Sequence, residues 1–203
     1  MKRTVAILSL LLVPLFPSGG YDHGTATGKG LLELDFTWNP FDYFEQGQSY
    51  VVLGYGLTEK LDFHGYYSLH REGFHTYYGG LFYQFLSSKR VDLATAAGMR
   101  INRENGNSDL FLPQLLYTFK MGGGFSVGGS FVNIVSDFEK SREVMPLAMD
   151  VTLFFPLNKY IPLPGTVKDL KLGVGLFNPI TNSSVEPGQF IPTYSIDIKF
   201  GKN

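Results

Sequence analysis

Residues Gly47 to Asn102 read GQSYVVLGYGLTEKLDFHGYYSLHREGFHTYYGGLFYQFLSSKRVDLATAAGMRIN, and apolar and polar positions alternate through most of this stretch. Between Leu61 and Arg71 the odd positions carry apolar or aromatic side chains and one glycine, whereas the even positions carry polar or hydroxyl-bearing ones. A period of two is typical of β-strands with one apolar and one polar face. The stretch therefore predicts four consecutive antiparallel strands.

The loop lengths predict how these strands pair. Residues that face each other must lie on the same side of a sheet, so the loops between the strands need an odd number of residues. Loops at 58–60, 72–74 and 87–89 satisfy this condition, and three-residue hairpin loops are common. In the resulting register Thr76 faces His70, and large side chains face glycines in the pairs Gly54–His64, Gly80–Tyr66, Gly79–Tyr67 and Gly98–Tyr78.

The same alternation continues on both sides of this stretch and predicts about ten strands, with 8 to 12 possible. The further strands are 29–38, 109–120, 124–136, 144–155, 168–177 and 189–200. In 109–120 we expect Phe111 on the apolar face and Lys120 opposite Asp92. The segment Pro156 to Val167 is not predicted as a central strand, because its prolines have no N–H donor for the ladder.

The composition indicates one domain without a strong charge field. The chain has 203 residues, no cysteine and a formal net charge of -1. This balance gives no reason to expect a nucleic-acid partner, and a fold without cysteine has no disulfides. Charged residues make up 17% of the chain, below the roughly 25% of soluble domains, as expected for a protein with a lipid-facing surface.

The first twenty residues predict a secretory signal peptide. Lys2 and Arg3 precede the apolar run Val5 to Phe16, and Ser18-Gly19-Gly20 offers small residues for cleavage before Tyr21. The run is shorter than the roughly 20 residues of a transmembrane helix. The expected organisation is a signal peptide at 1–20 and a single domain at 21–203.

The mature chain resembles bacterial outer-membrane β-barrel proteins as a class, without identifying a family within it. A strand of about 11 residues tilted near 40° rises roughly 28 Å, enough for the apolar band of such a barrel. The last strand alternates Tyr194, Ile196, Ile198 and Phe200, although three further residues follow the phenylalanine. The resemblance implies an antiparallel transmembrane β-barrel in the outer membrane of a Gram-negative-type bacterium, in contact with outer-membrane lipid. It also implies that the barrel assembly machinery reads this strand.

The predicted polar face carries charges of both signs on many strands. In an outer-membrane barrel these side chains line the lumen, where an unpaired charge is costly, so we expect a lumen polar network. A soluble secreted β-barrel or sandwich, with its apolar face inside and this face in water, is the structural alternative. The expected network consists of Glu33, Asp35, Asp62, His64, Asp92, Arg100, Lys120, Asp150, Lys171, Asp197 and Lys199.

Ser68 and His70 are candidates for catalysis, since they share the polar face two positions apart. A serine hydrolase also needs a group that orients the base, and Asp62 lies about 20 Å from Ser68 along the strand. Two residues of this kind are common in a polar lumen lining. We expect no metal site, because Asp62, His64 and Gln84 do not make a ligand set, and we expect no cofactor.

Three functions follow from this reading. The first is a narrow passive channel, and the second is a structural barrel whose outer loops bind a surface partner; both would have a charged, mostly filled lumen. The third is an outer-membrane lipid-modifying hydrolase. The sequence favours the first two and does not identify the solute or the partner.

Overall fold

The ten strands of the protein close into one barrel. The computed structural model describes residues 22–38, 48–70, 75–102, 108–135, 147–179 and 191–202. Every strand pairs antiparallel with its neighbours in sequence, and the first pairs with the last. This confirms the predicted all-β barrel of about ten strands, and a sandwich of two sheets is wrong. The strands are β1 (Leu32–Trp38), β2 (Gln48–Gly56), β3 (Leu61–His70), β4 (His75–Ser87), β5 (Val91–Asn102), β6 (Ser108–Lys120), β7 (Ser126–Val135), β8 (Leu147–Pro156), β9 (Val167–Pro179) and β10 (Ile191–Phe200).

The connections between the strands lie at the two ends of the barrel. At one end, here called the turn end, residues 57–60, 88–90 and 121–125 make short connections, and the longer 157–166 contains the 3-10 helix Leu157–Lys159. At the other end, the loop end, all five connections lie outside the described residues. The predicted signal peptide also lies outside them and stays a prediction. Within the described ranges, no helix has the length and apolar character needed to span a membrane.

The register between β2 and β3 is as predicted, with Gly54 opposite His64. Between β3 and β4 the prediction is wrong by two residues, because Tyr66 pairs with Tyr78 and not with Gly80, and Thr76 pairs with Ser68 and not with His70. The rings of Tyr66 and Tyr78 stack at 5.1 Å, an interaction the predicted register would forgo. A shift of two residues keeps every side chain on its predicted face.

A bulge at Phe85 changes the next pairing. Tyr78 pairs with Arg100 instead of Gly98, and the register shifts between Gln84 and Leu86. The predicted contact with Gly98 nevertheless exists diagonally, since a Cβ on Gly98 would lie 2.4 Å from the Tyr78 hydroxyl. Glycine is therefore needed there to admit the tyrosine ring.

The prediction for Phe111 is wrong. It points into the barrel and is 9% exposed, because the β6–β7 register shifts between Phe111 and Gln114, around Pro113. Asp92 pairs with Thr118 in the ladder, not with Lys120. Beyond this bulge the alternation returns to the predicted faces.

The polar face lines the interior and the apolar face covers the outside. Asp62 and Asp92 are fully buried, whereas Phe63, Leu81 and Met99 are about half exposed. Two apolar clusters fill parts of the interior. One contains Ala26, Phe82, Ala94, Ala96 and Leu116, and the other contains Tyr78 and Phe111 with Tyr66, Val132 and Phe177 packed against them.

Candidate functional site

All eleven residues of the predicted polar network lie on the interior face, but the structure divides them into separate groups. Lys199 Nζ lies 3.3 Å from Glu33 Oε2, and Lys120 Nζ lies 2.7 Å from Asp92 Oδ1. The second pair forms although the two residues are not opposite in the ladder, because the lysine side chain reaches diagonally. Lys171 Nζ pairs instead with Asp169, at 3.2 Å.

The remaining members make other contacts. Arg100 stacks over the Phe111 ring at 5.1 Å, and His64 Nε2 forms a 2.8 Å hydrogen bond with the hydroxyl of Tyr78. Asp35, Asp150 and Asp197 accept hydrogen bonds from neighbouring hydroxyl groups and are nearly fully buried. The polar lining is thus bonded in local groups more than through one continuous network. Some of its buried oxygen atoms, such as Asp62 Oδ1 and Asp197 Oδ2, have no hydrogen-bond partner among the described residues.

A short segment before β1 crosses the lumen at the turn end, which the sequence reading missed. Asp22 to Thr27, here called the inner segment, is buried along most of its length. Its contacts come from five strands of the wall: Gly24 N donates to Thr118 Oγ1 (2.9 Å), Thr25 Oγ1 to Asp92 Oδ2 (2.8 Å), Ala26 N to Gln84 Oε1 (3.0 Å), Thr27 N to Asp62 Oδ2 (2.7 Å) and Thr27 Oγ1 to Glu33 Oε2 (3.2 Å). Each such bond contributes about 1 kcal/mol net, so the segment is held firmly.

Glycines turn the chain from the lumen into the wall. Gly28 and Gly30 have φ of +93° and +72°, values that side chains rarely adopt. Gly56 on β2 lets this turn approach, since a Cβ there would lie 1.8 Å from the Gly28 carbonyl oxygen. The predicted strand 29–38 therefore begins three residues later, at Leu32, and Lys29 makes only an isolated bridge to Gly56.

The far end of the inner segment carries two charged residues. The Asp22 carbonyl and His23 Cβ lie against Gly128 of β7, where a Cβ would be 2.5 Å and 3.1 Å away from them. His23 Nε2 lies 3.5 Å from Glu33 Oε1. Burial alone lowers the pKa of His23, but the Glu33 carboxylate outweighs it, and the pKa lies above its ordinary value. His23 therefore favours the charged form that pairs with Glu33.

The loop half of the lumen is filled by aromatic side chains around Tyr78. Its ring packs on Tyr66 and on Phe111, with centroids 5.1 Å and 5.2 Å away. The Tyr78 hydroxyl accepts a 2.8 Å hydrogen bond from Gln114 Nε2 and bonds to His64. The inner segment and this aromatic cluster thus occupy the interior at two levels.

The catalytic candidates do not form a described site. Ser68 is fully buried, and its hydroxyl has no hydrogen-bond partner among the residues that the structure describes. It faces Thr76 across the ladder, and the Thr76 hydroxyl likewise has no partner there. The side chain of His70 lies outside the described residues, so the catalytic hypothesis stays a prediction.

One cavity opens beside the inner segment at the turn end, with a volume of about 250 Å³. Its lining includes His23, Thr25, Lys120, Phe154 and Lys171. Both lysines already pair with carboxylates of the wall. Among the described residues, no three His, Asp or Glu side chains converge as metal ligands would.

The inner segment had one signal in the sequence. In Asp22-His23-Gly24-Thr25-Ala26-Thr27 two titratable residues are followed by four small or hydroxyl-bearing ones, a composition that suits a chain in a narrow polar space. It has no hydrophobic period, so a search for strands passes over it. No protein-family model matches the chain, and no curated protein shows significant similarity to it.

Proposed function

We propose that this protein is an outer-membrane β-barrel whose lumen is closed and whose role is structural, presenting its loop end to a surface partner. The observation that carries the proposal is the orientation of the faces. Leu81 and Met99 on the outside are each 52% exposed, whereas Glu33, Asp62 and Asp92 inside are 0–3% exposed. A barrel in water would be more stable with its apolar side chains inside and its charged ones outside. A barrel in lipid needs apolar side chains on its outer surface, as observed here.

Aromatic side chains near both ends of the outer surface support a membrane position. Tyr55, Phe63 and Tyr83 lie towards the turn end and are 44–48% exposed. Tyr67 and Tyr77 lie towards the loop end, with ring centroids 5.3 Å apart. Outer-membrane barrels carry aromatic girdles at both interfaces with water. Outer-membrane lipid is accordingly the proposed partner of this surface.

The filled lumen favours a structural role over a general porin. Barrels of about 8 strands are filled by their own side chains, and those of 16 to 18 strands leave a channel. Ten strands leave more room than eight, and here the inner segment occupies it in the turn half. A narrow channel is the second candidate, because the wall behind the inner segment stays polar at Asp62, Gln84 and Thr118.

Biogenesis follows the class that the chain resembles. Export by the predicted signal peptide and recognition of β10 by the barrel assembly machinery are part of the proposal. β10 supports it, since it alternates an outward Ile196 and Ile198 with an inward Ser195 and Asp197, and closes the barrel against β1. A lipid hydrolase is not favoured, because Ser68 contacts no base in the described part of the chain.

The test places arginine at two exposed apolar positions. Leu81 is six residues from either end of β4, and Met121 lies in a turn at the turn end, 45% exposed. If the barrel spans a bilayer, Leu81→Arg costs about 2–4 kcal/mol of folding free energy in lipid vesicles and Met121→Arg about 0–1. In water, both would stay within roughly 0.5 kcal/mol of the wild type. Equal, small effects, or recovery as a protein that needs no detergent, would contradict the membrane assignment.

A further inference from the structure

The connections at the turn end carry an excess of positive charge. The segments at this end are 28–31, 57–60, 88–90, 121–125, 157–166 and 201–202. They contain one acidic residue, Glu59, and six basic ones, whereas the sequence of the five loop-end connections contains eight acidic and four basic residues. The two ends of the barrel therefore differ in the sign of their charge. The six basic residues are Lys29, Lys60, Lys89, Arg90, Lys159 and Lys202.

These six side chains are exposed, and carboxylates of the described residues do not neutralise them. Each of the six is exposed, and none lies within 4 Å of a carboxylate in the part of the chain that the structure describes. Lys159 Nζ donates a hydrogen bond to the carbonyl oxygen of Gly123, which is a neutral acceptor. Lys120, Lys171 and Lys199, by contrast, pair with carboxylates of the wall. The charge of the six is thus open to an anionic partner.

Part of this charge is concentrated where the β8–β9 connection, the end of β10 and the start of β1 meet. Gly201 N donates to Thr166 O at 3.0 Å, so the end of the chain lies against the connection 157–166. The side chains of Leu31 and Lys168 both lie close to Gly201, where a Cβ would contact them. We call the exposed residues of this region the turn-end patch. They are Lys29, Lys159, Tyr160, Ile161, Lys168 and Lys202.

Two apolar side chains are exposed among the lysines of the turn-end patch. Tyr160 is 73% exposed, more than any other large hydrophobic side chain that the structure describes, and Ile161 is 48% exposed. Just before this connection, Phe155 on the outer face meets the ring of Phe125 edge to face, with centroids 5.7 Å apart. The apolar surface of the patch therefore continues the outer wall that we assign to lipid.

Exposed apolar groups beside amines match the headgroup region of a bilayer. In that region aromatic and aliphatic side chains leave water, while the long lysine side chains reach the phosphates. Each basic residue near an anionic lipid surface strengthens binding roughly fivefold. A soluble polyanion would pair with the lysines but would leave Tyr160 and Ile161 in water. The combination of charge and apolar exposure therefore favours lipid.

We propose that the turn-end patch binds the anionic headgroups of phospholipids in the adjacent leaflet. The inference rests on the proposed membrane position and specifies which lipids meet this end of the barrel. A zwitterionic headgroup has the same phosphate but no net charge, so the patch prefers phosphatidylglycerol to phosphatidylcholine. The loop end, whose connections carry more acidic than basic residues, has no such preference.

The test measures which lipid lies next to the patch. Trp38→Phe removes the one tryptophan of the chain, and Tyr160→Trp then places a fluorescent reporter in the patch. Ile101→Trp is the matched reporter, because Ile101 is 47% exposed on the outer face near the loop end of β5. Each full-length variant is reconstituted in phosphatidylcholine vesicles with the same small fraction of brominated phosphatidylglycerol or brominated phosphatidylcholine, which quench a neighbouring tryptophan. The Tyr160→Trp reporter should prefer the anionic lipid at least about threefold, and the Ile101→Trp reporter less than about 1.5-fold.

Two pairs of substitutions test the role of the lysines. Lys159→Gln together with Lys202→Gln should abolish the preference at the Tyr160→Trp reporter. Lys89→Gln together with Arg90→Gln removes the same charge from the β4–β5 turn, on the opposite side of the barrel, and should leave the preference within about 1.5-fold. With all lysines present, about 1 M salt should also reduce the preference, because the screening length falls to about 3 Å.

The possible failures can be told apart. Equal quenching by the two lipids at the Tyr160→Trp reporter, or a preference that both pairs of substitutions reduce alike, overturns the proposal. Quenching by neither lipid there, with normal quenching at Ile101→Trp, also overturns it and points to a soluble acidic partner. Loss of quenching at both reporters contradicts the membrane assignment itself and, with it, this inference.

Discussion

Two threonine-to-valine changes on the interior face should have opposite effects on stability. Thr118 Oγ1 accepts the hydrogen bond from Gly24 N at 2.9 Å and contacts Thr25 Oγ1 at 3.1 Å. Thr152 is equally buried, at 1% exposure, but its hydroxyl has no hydrogen-bond partner in the described structure. Valine replaces the hydroxyl by a methyl group of similar size in both cases.

The expected magnitudes follow from which groups lose a partner. Thr118→Val leaves the buried N–H of Gly24 without an acceptor, which costs about 1–3 kcal/mol. Thr25 keeps its bond to Asp92, so little is added. Thr152→Val removes a hydroxyl that is buried without a partner, and this stabilises the fold by about 1 kcal/mol. The free energies of unfolding of the two variants should therefore differ by about 2 kcal/mol or more.

The assay is equilibrium unfolding in urea, followed by the shift in gel mobility between the folded barrel and the unfolded chain. Linear extrapolation of both transitions gives the free energies. Thr95→Val is the matched control, because Thr95 is exposed on the outer face, where its hydroxyl bonds the Gln114 carbonyl. A neutral Thr118→Val, or two interior variants that shift stability in the same direction, would refute the docking of the inner segment in this position.

Three further outcomes test the inner segment. Gly128→Ala should lower the free energy of unfolding by about 1–3 kcal/mol, because its Cβ would lie 2.5 Å from a backbone carbonyl oxygen of the segment. Gly79→Ala is the control: its Cβ would have its nearest neighbour at 3.8 Å, so the same urea titration should give a change within about 0.5 kcal/mol. In planar bilayers the intact barrel should conduct little or nothing. Deletion of residues 22–27 should leave the conductance low, because the aromatic cluster around Tyr78 remains; steady single-barrel conductance from this variant would contradict a filled loop half. The pKa of His23 is raised in the folded state, so its pairing with Glu33 contributes stability that is fully present below about pH 6.5 and is lost as the pH rises through the folded pKa. His23→Gln should flatten this decline in urea titrations at a series of pH values, and an unchanged slope would contradict the ion pair.

The alternation of the sequence predicted the strands and nearly every face because period and parity survive errors of two residues. Tyr66 and Ser68 point inward both in the predicted β3–β4 register and in the observed one. The register itself depends on which tyrosine rings stack, and spacing does not encode that choice. The outward prediction for Phe111 failed for a related reason, since a bulge breaks parity without changing the composition.

The pairing of charges was partly predictable, because a long side chain can still reach its partner when the predicted register is wrong by two residues. Lys120 reaches Asp92 although Thr118 is the ladder partner of that aspartate. The pairing of Lys171 with Asp169 was not predicted, because Asp169 was not considered part of the lining. The inner segment was missed entirely, since an extended chain inside a barrel has neither a hydrophobic period nor a ladder partner.

The side chains of the barrel wall and those of the inner segment fit each other. Where the segment crosses, the wall includes two alanines, and Ala26 packs with Ala94 and Ala96 as well as with the larger Leu116 and Phe82. In the loop half, where no such segment is described, the wall fills the space with aromatic rings of its own. An extended chain needs room that alanine and glycine supply, so the turn half would contain a void if the segment left. A void lined by these residues would lose packing as well as hydrogen bonds. The stability of the barrel and the filling of its turn half therefore depend on the same six residues, and a barrel that released them would also become easier to unfold.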